Sequence, residues 1–167
     1  MTTRFTIAII HRNGLKRLMR VLDSILADIS SNDEVIIIDN NSADGSIDKI
    51  EKNSLYKDVK IIKNTCNTGY AFPCNQAMLL GNGRYFLLCN NDIRLPEKCL
   101  NEFEEIFNNS PQSGIIGGQL IDANKNMVGS YSKTPTFLSE LDSIVRLRTP
   151  ERHQTIREVG TLLGACL

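Results

Sequence analysis

Hydrophobic runs and amphipathic segments alternate along the first 110 residues of the chain. Four short apolar runs predict buried strands: FTIAII from residue 5, EVIIID from residue 34, VKIIK from residue 59 and RYFLLC from residue 84. Apolar residues at helical spacing between them predict helices over residues 15–29, 47–52 and 71–80, with another after Pro96. This alternation predicts an α/β fold, a mostly parallel sheet with helices on both faces.

The pattern changes beyond residue 110. IDANKNMVGSY, from residue 121, predicts a strand, a polar turn and a second strand. TPTFLSELDSIVRL, from residue 134, predicts a helix, and VGTLLGACL, from residue 159, predicts an apolar strand. No repeat or linker divides the 167 residues, so we expect a single domain over 1–167.

Charge and composition narrow the class of protein. Nineteen basic residues balance nineteen acidic ones, so neither a nucleic-acid partner nor binding to an anionic membrane is expected. No segment approaches the roughly 18 apolar residues of a membrane span, and the N-terminal apolar run is too short for a signal peptide. Five cysteines without CxxC spacing indicate reduced thiols. We expect a cytoplasmic, soluble chain in which the cysteines and His153 are structural.

Polar side chains collect where the predicted strands end. The clusters are His11, Arg12 and Asn13 after the first strand, NTCNTGYAFPCN after the third, Asp39, Asn40 and Asn41 at the end of the second, and Asn90, Asn91 and Asp92 after the fourth. Each cluster alone is also explained by turn chemistry, because Asn and Asp bond the local backbone. Parallel strands bring all four clusters to one edge, which favours a shared polar ligand.

The usual phosphate-binding motifs are absent from the sequence. HRNGLKRL, after the first strand, has one glycine, so it is not the GxGxxG of a dinucleotide fold, and GxxxxGK[ST] does not occur. A carboxylate that holds a divalent metal against a pyrophosphate is the obvious substitute, since Mg²⁺ usually takes one or two carboxylates and completes its shell with phosphate and water.

Four of these segments resemble family 2 glycosyltransferases, the nucleotide-sugar-dependent enzymes of the GT-A fold, and within them the rhamnosyltransferase-like branch. TIAIIHRNGLKRLMRVLDSI is similar to the opening strand, turn and helix of the family, and EVIIIDNNSADGS is similar to its second-strand motif. NTCNTGYAFPCNQAM resembles its Asn-x-Gly loop, and YFLLCNNDIRLPEKCL falls where the family carries its DxD motif. The resemblance covers almost the whole chain.

The resemblance implies roles for particular residues. Asp39 matches the acid that recognises the nucleobase, and the family usually has an aromatic residue near Arg12 that stacks on the base, so the stacking partner is unassigned. For Gly69, close approach to the nucleotide and a plain turn are both open interpretations. The remaining residues that the resemblance places against the nucleotide are His11, Arg12, Asn13, Asn67, Asn75, Asn90 and Asn91.

Asn90, Asn91 and Asp92 match the metal motif with its first acid replaced by Asn. The resemblance implies that Asp92 binds Mg²⁺ or Mn²⁺ against the diphosphate of the donor, with Asn90 as a neutral hydrogen-bonding partner. Helix capping ahead of Pro96 is the competing interpretation of Asp92.

The resemblance divides the chain into a nucleotide-sugar-binding half, 1–110, and the beginning of an incomplete acceptor half, 111–167. An inverting transferase needs a general base within hydrogen-bonding reach of the acceptor hydroxyl. The chain stops at Leu167, before the segment that carries this acid in the family, and Asp122, Glu140 and Asp142 do not match its position. The catalytic residue is therefore unknown, and an uncovered apolar face near LLGACL is expected to favour self-association.

These observations predict a metal-assisted, inverting glycosyltransferase of polysaccharide biosynthesis. It would transfer a hexosyl or rhamnosyl group from a UDP-, dTDP- or GDP-sugar to a saccharide or lipid-linked acceptor. The alternative is a nucleotide-sugar-binding module without turnover, and product formation with a promiscuous acceptor separates the two. A sugar-nucleotide nucleotidyltransferase would share the architecture but should carry a glycine- and Arg-rich loop where HRNGLKRL stands.

Overall fold

The fold is that of a computed structural model, which describes residues 2–132, 159, 161 and 162. The elements are β1 (Phe5–His11), α1 (Leu15–Leu26), β2 (Glu34–Asp39), α2 (Ser46–Glu51), a single 3-10 turn (Ser54–Tyr56), β3 (Lys60–Lys63), α3 (Ala71–Leu80), β4 (Tyr85–Asn90), α4 (Cys99–Asn109), β5 (Tyr131–Ser132) and β6 (Thr161–Leu162). Strand and helix alternate as the sequence predicts.

Strands β1 to β4 form one sheet in the order β3-β2-β1-β4, and every neighbouring pair is parallel. All seven residues of β1 are buried, as an interior strand covered on both faces requires. The register places His11 beside Asp39 and Ile10 beside Asn90. The carboxyl ends of β1, β2 and β4 therefore meet at one edge of the sheet.

Helices cover both faces of this sheet, which confirms the predicted fold class. Alternate residues of β1 point to opposite faces: Ile7 and Ile9 belong to a large apolar cluster, whereas Ala8 and Ile10 belong to a smaller one. The large cluster includes buried residues of α1, α2 and α4. The smaller cluster is closed by α3 alone among the described helices, through Cys74 and Ala77.

Helix α1 ends three residues before the apolar periodicity does. The periodicity extends to Ile29, but the amide of Asp28 donates to the carbonyl of Ile25, 2.9 Å away, in a tighter turn. The Asp28 carboxylate then accepts hydrogen bonds from the amides of Lys98 and Leu100, the latter at 2.9 Å. Asp28 therefore caps α4, which begins at Cys99 rather than directly after Pro96.

The turn predicted within IDANKNMVGSY is present, but of the two flanking strands only an antiparallel bridge between Ile121 and Met127 forms, together with Tyr131, which begins β5. The Asp122 carboxylate accepts from the amides of Asn124 and Asn126, at 2.9 and 2.8 Å, and so holds the turn. Of the predicted final strand, Thr161–Leu162 forms β6 against β5. The helix predicted from residue 134 lies outside the described residues, as do Glu140, Asp142 and His153.

Candidate functional site

An open cleft lies at the carboxyl ends of the parallel strands. It has a volume of about 220 Å³ and is lined by Ile10, His11, Arg12, Asn40, Gly69, Tyr70, Asn90 and Asn91. The strands β2 and β3 lie on one side of β1, and β4 lies on the other side. Strand order therefore reverses between β1 and β4, which is where open α/β sheets bind their ligands.

The cleft contains five of the ten residues predicted for the site, namely His11, Arg12, Gly69, Asn90 and Asn91. Three others lie beside the lining residues. Asn13 and Asn67 accept hydrogen bonds from Asn91 and Asn40, and Asp39 directly precedes Asn40 in the chain. Asp92 follows Asn91 directly, and Asn75 is exposed on α3. Nine of the ten predicted residues thus gather at one edge, no contact places Asn75 there, and the binding roles of all ten stay predictions.

His11 lies at the bottom of the cleft, where it is fully buried and both of its ring nitrogens have partners. Asn91 donates its amide nitrogen to His11 Nδ1, at 2.9 Å, and to the carbonyl of Asn13, at 3.1 Å. A carbonyl only accepts, so the amide nitrogen is the donor in both bonds and Nδ1 is unprotonated. The proton is therefore on Nε2, which donates to Ser46 Oγ at 2.8 Å.

The surroundings of His11 keep its imidazole neutral. Burial lowers the pKa of His11 from 6.5, and the nearby Arg17 lowers it further, whereas the carboxylates of Asp39 and Asp44 act in the opposite direction. A neutral ring is what the hydrogen-bond pattern requires, since an imidazolium could not accept the bond from Asn91. His11 therefore orients the turn after β4.

Asp44 joins the turn after β1 to the beginning of α2. Its carboxylate accepts from the amide of Gly14 at 2.6 Å and from the amide of Ser46 at 3.1 Å. The hydrogen bond from the Ser46 side chain is the main reason that the pKa of Asp44 falls to about 2. A continuous chain of hydrogen bonds thus runs from Asn91 through His11 and Ser46 to Asp44.

The loop before α3 is fastened to the sheet by Asn40, which is buried. Its side-chain nitrogen donates to Asn67 Oδ1 at 2.8 Å and to the carbonyl of Gly69 at 2.7 Å. Its side-chain oxygen accepts from the amide of Thr68 at 3.0 Å and from the Thr68 hydroxyl at 3.1 Å. One amide side chain therefore fixes three consecutive residues at the rim of the cleft.

Gly69 adopts a left-handed conformation with φ of 79°, which favours glycine. A Cβ at this position would have no atom within 4 Å, so crowding within the protein is not the reason for the glycine. The turn interpretation is therefore supported, and close approach of a ligand to this residue stays a prediction.

Asp39 is buried at the end of β2, beside the cleft. Its carboxylate accepts from the amide of Ser42, at 3.2 Å, and from the Ser42 hydroxyl. Asp39 therefore holds the turn that follows β2, one of the two interpretations open at the sequence level. Recognition of a nucleobase by the same carboxylate stays a prediction.

Asp92 is exposed, and no hydrogen bond or ion pair joins its carboxylate to any other residue that the structure describes. The capping interpretation is wrong, because Asp28 already occupies the beginning of α4. No group of three or more His, Cys, Asp or Glu side chains within the described residues could hold a metal ion. Asp92 would therefore fit a cation only if phosphate and water completed its shell, as is common for Mg²⁺.

Sequence reasoning missed Tyr70 and Ser46, and it noted Asn40 only as part of a polar cluster. Tyr70 stands in the quoted segment NTCNTGYAFPCN, directly after the glycine of a loop predicted to reach the site edge. Its position there was the available signal. Ser46 and Asn40 act through partners at least 27 positions away in the chain, which local patterns do not reveal.

The model of Glycosyl transferase family 2 matches residues 6–160. No curated protein matches the sequence. Among solved structures, S. aureus TarS is similar with a TM-score of 0.58 and 20% identity, over 64% of this chain and 20% of that chain. TarS 1–349 in complex with UDP-GlcNAc gives 0.59 and 17%, over 73% and 41%. Mannosyltransferase PcManGT from Pyrobaculum calidifontis, in complex with GDP-Man and Mn²⁺, gives 0.56 and 15%, over 87% and 39%.

The chain spans less than half the length of each of these three structures. Within that span, the parallel sheet with helices on both faces has the fold that the resemblance implied, GT-A. The family match covers most of the sequence and all four strands of the main sheet but for the first residue of β1. The chain belongs to glycosyl transferase family 2.

Proposed function

We propose that this chain binds the nucleotide-diphosphate sugar donor of a glycosyltransferase and takes part in transfer of the sugar. The carrying observation is the cleft at the carboxyl edge, where strand order reverses and polar side chains from three strand ends meet. Two of the similar structures are complexes with UDP-GlcNAc and GDP-Man, which supports a donor of this class.

The residues divide by the part of the donor that their chemistry suits. The Arg12 guanidinium is an exposed cation in the cleft and suits the diphosphate. The Asn90 side chain offers neutral donors and an acceptor for ribose hydroxyls. Asp39, buried beside the cleft and next to Asn40 in the chain, suits an imino N–H of the base. UDP, dTDP and GDP are the nucleotides to be compared.

Asp92 is the residue that would hold Mg²⁺ or Mn²⁺ against the diphosphate. When bound, such a cation neutralises the charge that develops on the departing nucleoside diphosphate. The Asp92 side chain has no other partner among the described residues, so it is available for this role. The Mn²⁺ in the PcManGT complex supports metal assistance in this family of folds.

The donor proposal is tested by a thermal-shift and calorimetry panel of UDP, dTDP and GDP, each with and without Mn²⁺. A ligand that binds only the native state at a hundred times its Kd raises the free energy of unfolding by about 2.7 kcal/mol. We expect at least one diphosphate to stabilise the protein, and to do so more strongly with Mn²⁺. No stabilisation by any of the three would contradict the proposed function.

Asp92→Ala should remove the Mn²⁺ enhancement of diphosphate binding without unfolding the protein, since the side chain is exposed. Glu97→Ala is the matched control, because Glu97 is an exposed acid on the same segment, five residues further on. An equal Mn²⁺ enhancement in the wild type and Asp92→Ala, measured by calorimetry, would rule out Asp92 as a ligand.

Inverting transfer of a hexosyl or rhamnosyl group to a saccharide or lipid-linked acceptor is the reaction that we infer. A binding module without turnover is the second candidate, and one observation favours it. No described acid is assigned as the general base, and Asp122, which does not match the position of that base, holds its own turn instead. Product formation from a donor sugar and a promiscuous acceptor distinguishes the two candidates.

A further inference from the structure

Tyr70 is the only exposed aromatic residue among those that line the cleft in the described part of the chain, since the His11 ring is fully buried. It directly precedes α3, and 43% of its surface is exposed. The apolar residue Ile10, which also lines the cleft, is only 8% exposed. The Tyr70 ring is therefore the largest flat apolar surface that the cleft offers to a ligand.

The Tyr70 backbone and side chain are both held in place. Asn40 fastens the carbonyl of Gly69 at 2.7 Å, immediately before Tyr70. The Tyr70 carbonyl accepts the amide of Cys74 at 3.3 Å, in the first turn of α3. The side chains of Tyr70 and Cys74 also share a hydrogen bond, which opposes the rise that burial causes in the pKa of the Cys74 thiol. A ring held at both ends loses little freedom when a ligand packs on it.

A nucleobase needs two kinds of contact. Its edge is read by hydrogen-bonding groups, and the Asp39 carboxylate, beside the cleft at the end of β2, is the group proposed for it above. Its face needs a flat partner, and stacking of a base on an aromatic side chain tolerates every base because each has a π-face. Among the polar residues of the cleft, only the Arg12 guanidinium is an exposed planar group, and its charge suits the diphosphate, so the Tyr70 ring is the flat apolar surface that remains for the base.

We propose that the Tyr70 ring is the surface on which the nucleobase of the donor stacks. This inference rests on the proposed donor binding and adds a residue that touches the base. It places the base at the α3 side of the cleft and leaves the opening between β1 and β4 for the diphosphate. The ring would contribute affinity for nucleotides in general, while selection between bases would come from the polar groups at the edge.

The test compares Tyr70→Leu and Tyr70→Phe with the wild type by calorimetry in Mn²⁺. The probes are the tightest of UDP, dTDP and GDP, and inorganic pyrophosphate, which has no base. We expect Tyr70→Leu to weaken nucleotide binding by about 5- to 150-fold, the measured range for loss of one stacked base. Pyrophosphate binding should stay unchanged, and Tyr70→Phe should bind the nucleotide nearly as well as the wild type.

Phe72→Leu is the matched control, because Phe72 is an aromatic residue on α3, 54% exposed, that does not line the cleft. It should leave nucleotide affinity unchanged. Equal nucleotide affinity in the wild type and Tyr70→Leu would overturn the proposal while leaving donor binding intact. Loss of pyrophosphate binding in Tyr70→Leu would also overturn it, since the ring would then support the cleft rather than the base. Failure of the wild type to bind any nucleotide would overturn both proposals.

A spectroscopic measurement keeps the proposal testable if Tyr70→Leu does not fold. The chain contains no tryptophan, so Tyr70→Trp introduces the only indole. Stacking predicts that its fluorescence is quenched by the nucleotide and Mn²⁺ but not by pyrophosphate and Mn²⁺. Equal quenching by the nucleotide and by pyrophosphate would contradict stacking at this position. So would unchanged fluorescence in the presence of a nucleotide that calorimetry shows to be bound.

Discussion

At the scale of single residues, the hydrogen bonds at the bottom of the cleft depend on a neutral imidazole, that of His11. Asn91 can donate a hydrogen bond to His11 Nδ1 only while that nitrogen carries no proton. The protonated Nε2 then donates a hydrogen bond to Ser46 Oγ. The position of the turn that carries Asp92 is therefore tied to the protonation state of a side chain that water does not reach.

His11 should make the protein less stable in mild acid. Its folded pKa lies below 6.5, so below about pH 6.5 the unfolded chain binds a proton that the folded chain does not. The free energy of unfolding should therefore fall as pH falls through this range, and His11 should contribute no slope above it. Urea unfolding between pH 5 and 8 measures the slope, which should be reduced in His11→Gln.

The control is His153→Gln, because the chain has two histidines and this variant removes the other one. We expect it to retain the acid slope of the wild type. A slope that disappears in His153→Gln and persists in His11→Gln would show that the buried imidazole is not its source.

At the scale of elements, the loop from Asn67 to Gly69 is held by a single side chain from β2's end. Asn40→Ala removes four hydrogen bonds at once. The loop residues are exposed, so water can replace these bonds, and the cost in unfolding free energy should be on the order of 1–3 kcal/mol. Amide hydrogen exchange over residues 64–70 should accelerate, and nucleotide affinity should fall.

Asn75→Ala serves as the comparison, since it deletes an exposed amide on α3. It should leave both the unfolding free energy and the exchange of residues 64–70 near wild-type values. If amide hydrogen exchange over residues 64–70 were as slow in Asn40→Ala as in the wild type, the Asn40 side chain would not be what orders this loop.

Helices and strands whose ends depend on nearby residues in the chain could be predicted from the sequence. β2 and α3 begin and end at the residues that the apolar pattern indicates, because burial of both strand faces and the GNG that follows α3 leave local signals. Contacts across the chain could not. Asp28 caps α4 from 70 positions away, and no periodicity contains that information.

The site shows the same division. The strand-end clusters correctly pointed to one edge, since parallel strands share their carboxyl side. Which side chains face a ligand depends on tertiary partners: His11 turned inward to Ser46, while Tyr70 came to the rim. Residue type alone could not distinguish these two outcomes.

At the scale of the whole molecule, the two faces of the sheet are unequally anchored. Helix α1 buries Leu18, Val21, Leu22 and Ile25 in the large apolar cluster. Helix α3 buries only Pro73, Cys74 and Ala77, which are small side chains, and its longer apolar residues are exposed. Since hydrophobic stabilisation scales with the area removed from water, α3 is the weakly held helix.

Native-state hydrogen exchange should therefore be faster over Ala71–Leu80 than over Leu15–Leu26, because local opening follows buried apolar contact. The tightest nucleotide with Mn²⁺ should slow exchange in α3 more than in α1, since Tyr70 precedes α3 and lines the cleft. Mass spectrometry of the exchanged peptides measures both effects. Equal exchange in the two helices without ligand would show that the small cluster holds α3 as firmly as the large one holds α1.

The carboxylate of Asp44 at the beginning of α1 restricts the kinds of ligand that this sheet edge can accept. In dinucleotide-binding folds, phosphate lies on the exposed amides and positive dipole at the start of the first helix. Here the amide of Gly14, which precedes α1, already donates to an ionised Asp44. A phosphate approaching that point would meet a negative charge of the protein's own. The beginning of α1 is therefore unsuited to hold a phosphate in the way that NAD-binding folds do, and we expect a diphosphate to lie instead beside Arg12, the exposed cation that lines the cleft.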